Sequence, residues 1–406
     1  MTSLGPIFAD DLARVKPGDR LRLTISAQTS DAAALAQAAL EARARGERVL
    51  VVCADPADVP RLAQEMPWFE PKLDVRPLPD WETLPYDVLS PQEELVSERL
   101  EALYRLTAPT GGADVLLTSA VTASQRLSPV SYIGANTFFF HQGEQISLTT
   151  LQKRLAAAGY ANVKQVLAAG EFAVRGSIVD VFPMGSERPF RLDFFDDEIE
   201  SIRWFDVDTQ RSMESAEEIR LLPGHEFPVD PEALLAFRQR WRREFAGDPK
   251  KSIVYCDIEK EILPPGIEYY LPLFFDETAA LTDYLPPNAR VFLLGDIEVA
   301  LQAFGRDMAS RYKVLAADPQ RPALAPERIW LKPEEFFKSL ANFARFTVEK
   351  KENAEDLKRL TGIEVDRKSQ NPVGKLLERT RESAMKGVRT LIAAPSAGRM
   401  ETMSQL

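Results

Sequence analysis

The stretch from Glu171 to Gln210, EFAVRGSIVDVFPMGSERPFRLDFFDDEIESIRWFDVDTQ, constrains the fold more than any other part of the chain. Apolar and polar residues alternate over three strand-length runs, Phe172–Phe182, Phe190–Phe195 and Ile199–Val207. The breaks at 183–189 and at Asp196–Asp197 carry turn chemistry. Period-two alternation sends successive side chains to opposite faces. These runs therefore predict an antiparallel β-meander with one packed face and one free face. On this reading the free face carries Arg175 and Arg191 beside Phe195. Arginines next to an exposed aromatic are typical of surfaces that dock another protein.

The segments around the meander alternate strand and helix. Residues 1–135 contain strand patterns at Leu21–Ala27, Arg48–Ala54, Leu73–Pro77 and Asp114–Thr118. Helix patterns fall between them at Ser30–Arg45, Asp58–Glu65 and Pro91–Leu106, with another starting at Ala120. The run RVLVVCA is almost wholly apolar, as expected of a parallel strand covered on both faces. This alternation predicts a doubly wound α/β domain. Residues 136–222 read as an inserted α+β domain: strand Thr137–His141, helix Leu148–Ala158, then the meander. Residues 223–348 hold helix Pro231–Phe245, strand Arg290–Leu294 and helix Ile297–Ser310, with prolines at the joints. Residues 349–406 open on a charged linker near Lys350–Gln370. A helix follows from Pro372 to Gly387, then a strand at Val388–Ala394. One strand does not make a sheet, so the chain reads as stopping inside a further α/β domain.

Composition narrows the function. With 45% hydrophobic and 27% charged residues, the 406-residue chain is globular. The N-terminus has no basic region followed by an apolar core, and no run reaches the roughly 18 apolar residues of a membrane helix. Cys53 and Cys256 are the only cysteines, which suits a reducing cytoplasm. Two histidines, His141 and His225, argue against a histidine-rich metal site or a nucleophile triad. A net charge of −11 argues against DNA as the main client and for a protein partner.

The turn after the first strand, ISAQTSDAAALA at Ile25–Ala36, should wrap phosphate if the domain used nucleotides. It has neither glycine nor lysine. Asp31 puts a carboxyl where phosphate oxygens would lie, and Thr29, Ser30 and Asp31 read as a helix cap. No cofactor is expected. In the loop LPDWETLPYD, Trp81 or Tyr86 either stacks on a base or pins the loop to its own sheet. The acidic run Asp193, Asp196, Asp197, Glu198 and Glu200 reads as a solvated hairpin turn rather than a metal site. Arg175 and Arg191 are either a forked cationic patch or are neutralised internally by Asp193 or Glu198.

The block EFAVRGSIVDVFP followed by FRLDFFDDEIESIRWFD resembles the second domain of the UvrB excision-repair family. The blocks LPDWETLPYD, SPQEELVSERLEALYRL, LLPGHEFPVD and PPGIEYYLPLFF are similar to the N-terminal part of the bacterial transcription-repair coupling factors, the Mfd family. The resemblance runs from about Leu21 to Leu406, with the blocks in the family's order. It implies a UvrB-like, degenerate P-loop (RecA-like) domain interrupted by an inserted domain that docks onto UvrA, the damage-sensing ATPase. The family's docking residues fall on Arg175, Arg191 and Phe195. Two departures from UvrB match the coupling factors: the phosphate loop is missing, and 86–91 leaves no room for a long tyrosine-rich hairpin.

The resemblance further implies recruitment of UvrA to RNA polymerase stalled at lesions, without ATPase activity in this chain. RNA polymerase, double-stranded DNA and a C-terminal regulatory domain would be partners of the longer protein, itself an ATP-driven translocase. The competing expectation is a UvrB-like ATP-dependent helicase. A third is DNA binding by the tail, where residues 350–406 hold 12 Lys/Arg against 8 Asp/Glu.

Overall fold

The computed structural model describes residues 14–26, 30–108, 112–351, 371, 373–390, 392, 394 and 397–404. Strands β1 (Arg20–Ser26), β2 (Val49–Cys53), β3 (Val75–Pro77) and β4 (Val115–Ser119) come first. Next come β5 (Phe138–His141), β6 (Ala161–Asn162), β7 (Glu171–Arg175), β8 (Ile178–Val181), β9 (Phe190–Phe195), β10 (Glu198–Phe205), β11 (Ser212–Ala216) and β12 (Glu218–Leu221). Strands β13 (Arg290–Leu294) and β14 (Ala344–Lys351) follow.

The first sheet has the order β1-β14-β13-β2-β4-β3, and every adjacent pair is parallel. Strand β2 is buried along its whole length because both faces are covered. Val49, Val51 and Cys53 share a core with the buried alanines of helix α1 (Ser30–Ala44) and with Leu62 and Met66 of α2 (Asp58–Phe69). Alanine lets a helix lie close on a sheet, and Gly46 ends the segment at a positive φ of 69°. On the other face, Leu50 and Val52 pack with Leu100 and Leu103 of α3 (Glu93–Thr107). This is the α/β arrangement the alternation predicts.

The second sheet has the order β11-β10-β9-β8-β7-β6, antiparallel except for the β6–β7 pair. The run Phe172–Phe182 is not one strand but the hairpin β7–β8. Arg175 pairs with Ile178 across Gly176–Ser177, and Gly176 sits at φ 62°, as a two-residue turn requires. The break expected at Asp196–Asp197 is the β9–β10 turn, where Phe195 pairs with Glu198. Strands β5 and β12 form a separate antiparallel ladder.

Other differences lie toward the C-terminal end. Strand β14 is not anticipated by the sequence reading, which ends its third segment at Val348. Phe346 and Val348 are buried in the core between β1 and β13, so the charged end of the strand is carried by its apolar start. The expected linker lies mostly outside the described residues. The described residues of 388–394 form no strand, while helices occupy Gly374–Met385 and Ala397–Ser404.

Candidate protein-docking site

The inserted sheet is held to the parallel domain by a continuous core and a polar lock. Phe172, Val181, Phe190 and Ile202 share one apolar cluster with Leu100 and Leu103 of α3. Beside it, Ser97 accepts from the Gly185 N–H at 2.8 Å, and Arg220 bonds Glu101 while lying over the Tyr104 ring. Arg99 is 0% exposed. It donates to Glu226 at 2.8 Å, to Gln125 at 2.9 Å and to the Pro79 carbonyl at 2.7 Å. Glu226 also accepts from Trp81 Nε1 at 2.9 Å. A buried cation paired with a carboxylate and bonded through each nitrogen is tolerable; an unpaired one is not. Trp81 therefore pins its loop, and Tyr86 donates to the Leu324 carbonyl. The Trp81 ring is buried, and the Tyr86 ring packs against Tyr269, Tyr312 and Trp330.

One face of β7–β10 belongs to that core: Phe172, Val179, Leu192, Phe194, Ile199 and Ile202 point inward. On the opposite face the register builds two rows. The first is Ala173–Asp180–Arg191–Arg203, the second Arg175–Ile178–Asp193–Ser201. Phe195, at the end of β9, stands 68% exposed on this face. Folding thus puts Arg175, Arg191 and Phe195 on one face, with β8 between the two arginine strands.

The two arginines are not equivalent, and here the expectation of an outward pair needs correction. The Arg191 side chain is only 15% exposed. Its Nε and Nη2 donate to the two oxygens of Asp180 at 2.7 and 2.9 Å. Nη1 donates to the Gln210 carbonyl and to Ser212 Oγ, both at 3.2 Å, and the guanidinium lies over Phe205. The bonds to Asp180 raise its pKa, so the cation is firmly held. Arg175 is 48% exposed and reaches the same carboxylate at 3.5 Å. Internal neutralisation does occur, but through Asp180. Asp193 instead accepts from Ser201 and Glu198 from Gln145.

Asp180 is the residue that sequence reasoning missed. It is 1% exposed and anchors both guanidinium groups. The signal is present in IVDVF: a carboxyl inside an apolar run needs a buried cationic partner.

After β1, charged side chains pair with one another at the start of α1. Asp31, in the first turn of α1, is buried and meets Arg61 of α2 at 2.5 Å, and Arg61 also bonds Asp58 and Glu65. Burial pulls the Arg61 pKa down, but the bonds to Asp31 and Asp58 outweigh this and raise it. Residues 27–29 of the turn lie outside the described residues. Among the described residues no group of three or more metal-ligating side chains converges, and no helix is long and apolar enough to cross a membrane.

A six-strand sheet that presents an aromatic and tethered arginines is thus set on a parallel α/β domain. Residues 138–227 match the family model described as the UvrB interaction domain. The chain is 42% identical to the transcription-repair-coupling factor of Escherichia coli over 298 residues, 73% of this chain and 26% of that protein. It is 39% identical to that of Haemophilus influenzae over 343 residues, 82% of this chain and 29% of that one. The Bacillus subtilis protein is 32% identical over 216 residues. The chain corresponds to the N-terminal, UvrB-like region of the transcription-repair-coupling factors. It spans between a quarter and a third of the length of the first two relatives.

Proposed function

We propose that this chain is the recruitment part of a cytoplasmic transcription-repair coupling factor. It docks the excision-repair ATPase UvrA through the outer face of β7–β10. The carrying observation is Phe195, a large aromatic left 68% exposed on the same sheet face as Arg175, in a domain matched by the UvrB interaction family. Arg175, Arg191 and Phe195 are the proposed contact residues, with Arg191 set in place by Asp180. Calorimetric titration with UvrA, with and without UvrB, tests this. Competition between UvrB and the chain for one surface supports it, and simultaneous independent binding overturns it.

The chain itself turns over no ATP. The Asp31–Arg61 pair supports this, because it puts a buried carboxylate and its counter-ion at the helix terminus where phosphate would need free donors. In the longer protein the partners are stalled RNA polymerase, double-stranded DNA and a regulatory domain that covers the UvrA face, while ATP-driven translocation belongs to other domains. DNA-stimulated ATP hydrolysis by this chain would restore the helicase reading.

A further inference from the structure

The outer face of the inserted sheet holds a third arginine, and it is freer than the two already described. Register sets Arg203 directly opposite Arg191. Its neighbours along β10 fix the side: Ile202 packs into the core, whereas Ser201 bonds Asp193 and Phe205 lies under the Arg191 guanidinium. Directly opposed residues share a face. Arg203 is exposed. Among the described residues no hydrogen bond or ion pair engages its guanidinium.

The charge count on the two rows gives this a direction. Arg175, Arg191 and Arg203 face Asp180 and Asp193, three cations against two carboxylates, one net positive charge. Asp180 is taken by Arg191 and Arg175, and Asp193 by Ser201. The face as a whole carries that net positive charge, and Arg203 is its exposed arginine that no carboxylate engages among the described residues. Two arginines side by side repel, so the tight Arg191–Asp180 fork is what lets Arg203 stand beside them at little cost. A guanidinium with five free donors in a planar fork is suited to a carboxylate.

We propose that Arg203 is a further contact residue of the docking surface and grips an acidic side chain of UvrA. This rests on the UvrA reading above, and the test separates the two. UvrA is titrated with the parent chain, Arg203→Ala, Arg203→Glu and Phe195→Ala, and each variant's urea midpoint is compared with the parent's. Arg203→Ala is expected to weaken binding about tenfold and Arg203→Glu about a hundredfold or more, both with parental midpoints. The salt dependence of Arg203→Ala should be shallower than the parent's. Parental affinity in both Arg203 variants with weakened Phe195→Ala overturns the proposal and leaves the docking face standing. Equal losses in Arg203→Ala and Arg203→Glu also overturn it, because charge would then not be what is read. Parental affinity in all three variants removes the docking face itself.

Discussion

At the residue scale, exposure separates binding from folding. Phe195 is wetted and lies at a strand end, so Phe195→Ala removes no buried contact of the folded chain. We expect it to weaken UvrA binding by about 2–4 kcal/mol in calorimetry. Its urea midpoint should stay within about 0.5 kcal/mol of the parent's stability. Arg191 behaves differently. From sequence, an arginine on a solvent face can be cut to alanine without harm to the fold. In the folded chain, Arg191→Ala leaves the 1%-exposed Asp180 with only the half-exposed Arg175 at 3.5 Å. Urea unfolding should then show a loss of about 2–4 kcal/mol, on top of any loss in binding. An unchanged midpoint would mean that Asp180 is satisfied without it.

At the scale of elements, the decisive feature is how the inserted domain is fastened. Helix α3 carries Ser97, Arg99, Glu101 and Tyr104, and each touches the insert or the chain leaving it. The pattern of α3 is legible in SPQEELVSERLEALYRL as a helix, but the pattern does not show what Arg99 meets. Only the arrival of Glu226, 127 residues later in sequence, makes it the centre of a buried lock. Glu226→Ala should therefore destabilise the chain by about 3–5 kcal/mol, because it strands a fully buried guanidinium. Thermal and urea unfolding check this, and a change below about 1 kcal/mol would show that the lock does not hold the domains. The β7–β8 hairpin illustrates the opposite failure. The alternation of VRGSIVDV continues smoothly through the turn, and Gly176 alone marks where the chain reverses.

At the scale of the whole molecule, half-buried His225 and buried Glu268 give stability an opposing pH dependence. Burial lowers the His225 pKa from 6.5 to about 4. The unfolded chain thus binds this proton more readily than the folded one, and stability falls as pH drops from 6.5 toward 4. Burial raises the Glu268 pKa from 4.5 to about 7, against the opposing Ser90 bond. Here the folded chain binds the proton more readily, and stability falls as pH rises from 4.5 to 7. The two slopes offset each other over their shared window. Glu268→Gln removes one of them. At pH 8 it should be more stable than the parent by about 1–3 kcal/mol, with stability rising steadily with pH between about 4 and 6.5. A pH series of urea unfolding curves tests both signs. At this scale, too, saturating ATP should leave the melting temperature unchanged, since linkage stabilises only what binds.

The local pattern alone determined strands β1 to β4, helices α1 to α3 and the turn at Asp196–Asp197. Each of these depends on periodicity or on residue types within a few positions. Tertiary structure alone decided which guanidinium faces water, which carboxylate holds it and what Arg99 is for. Those outcomes depend on pairs that meet across strands or across more than a hundred residues of chain. Whether a charge is buried and matched, or solvated and free, is a property of the pair and its surroundings, and a single position in the sequence does not carry it.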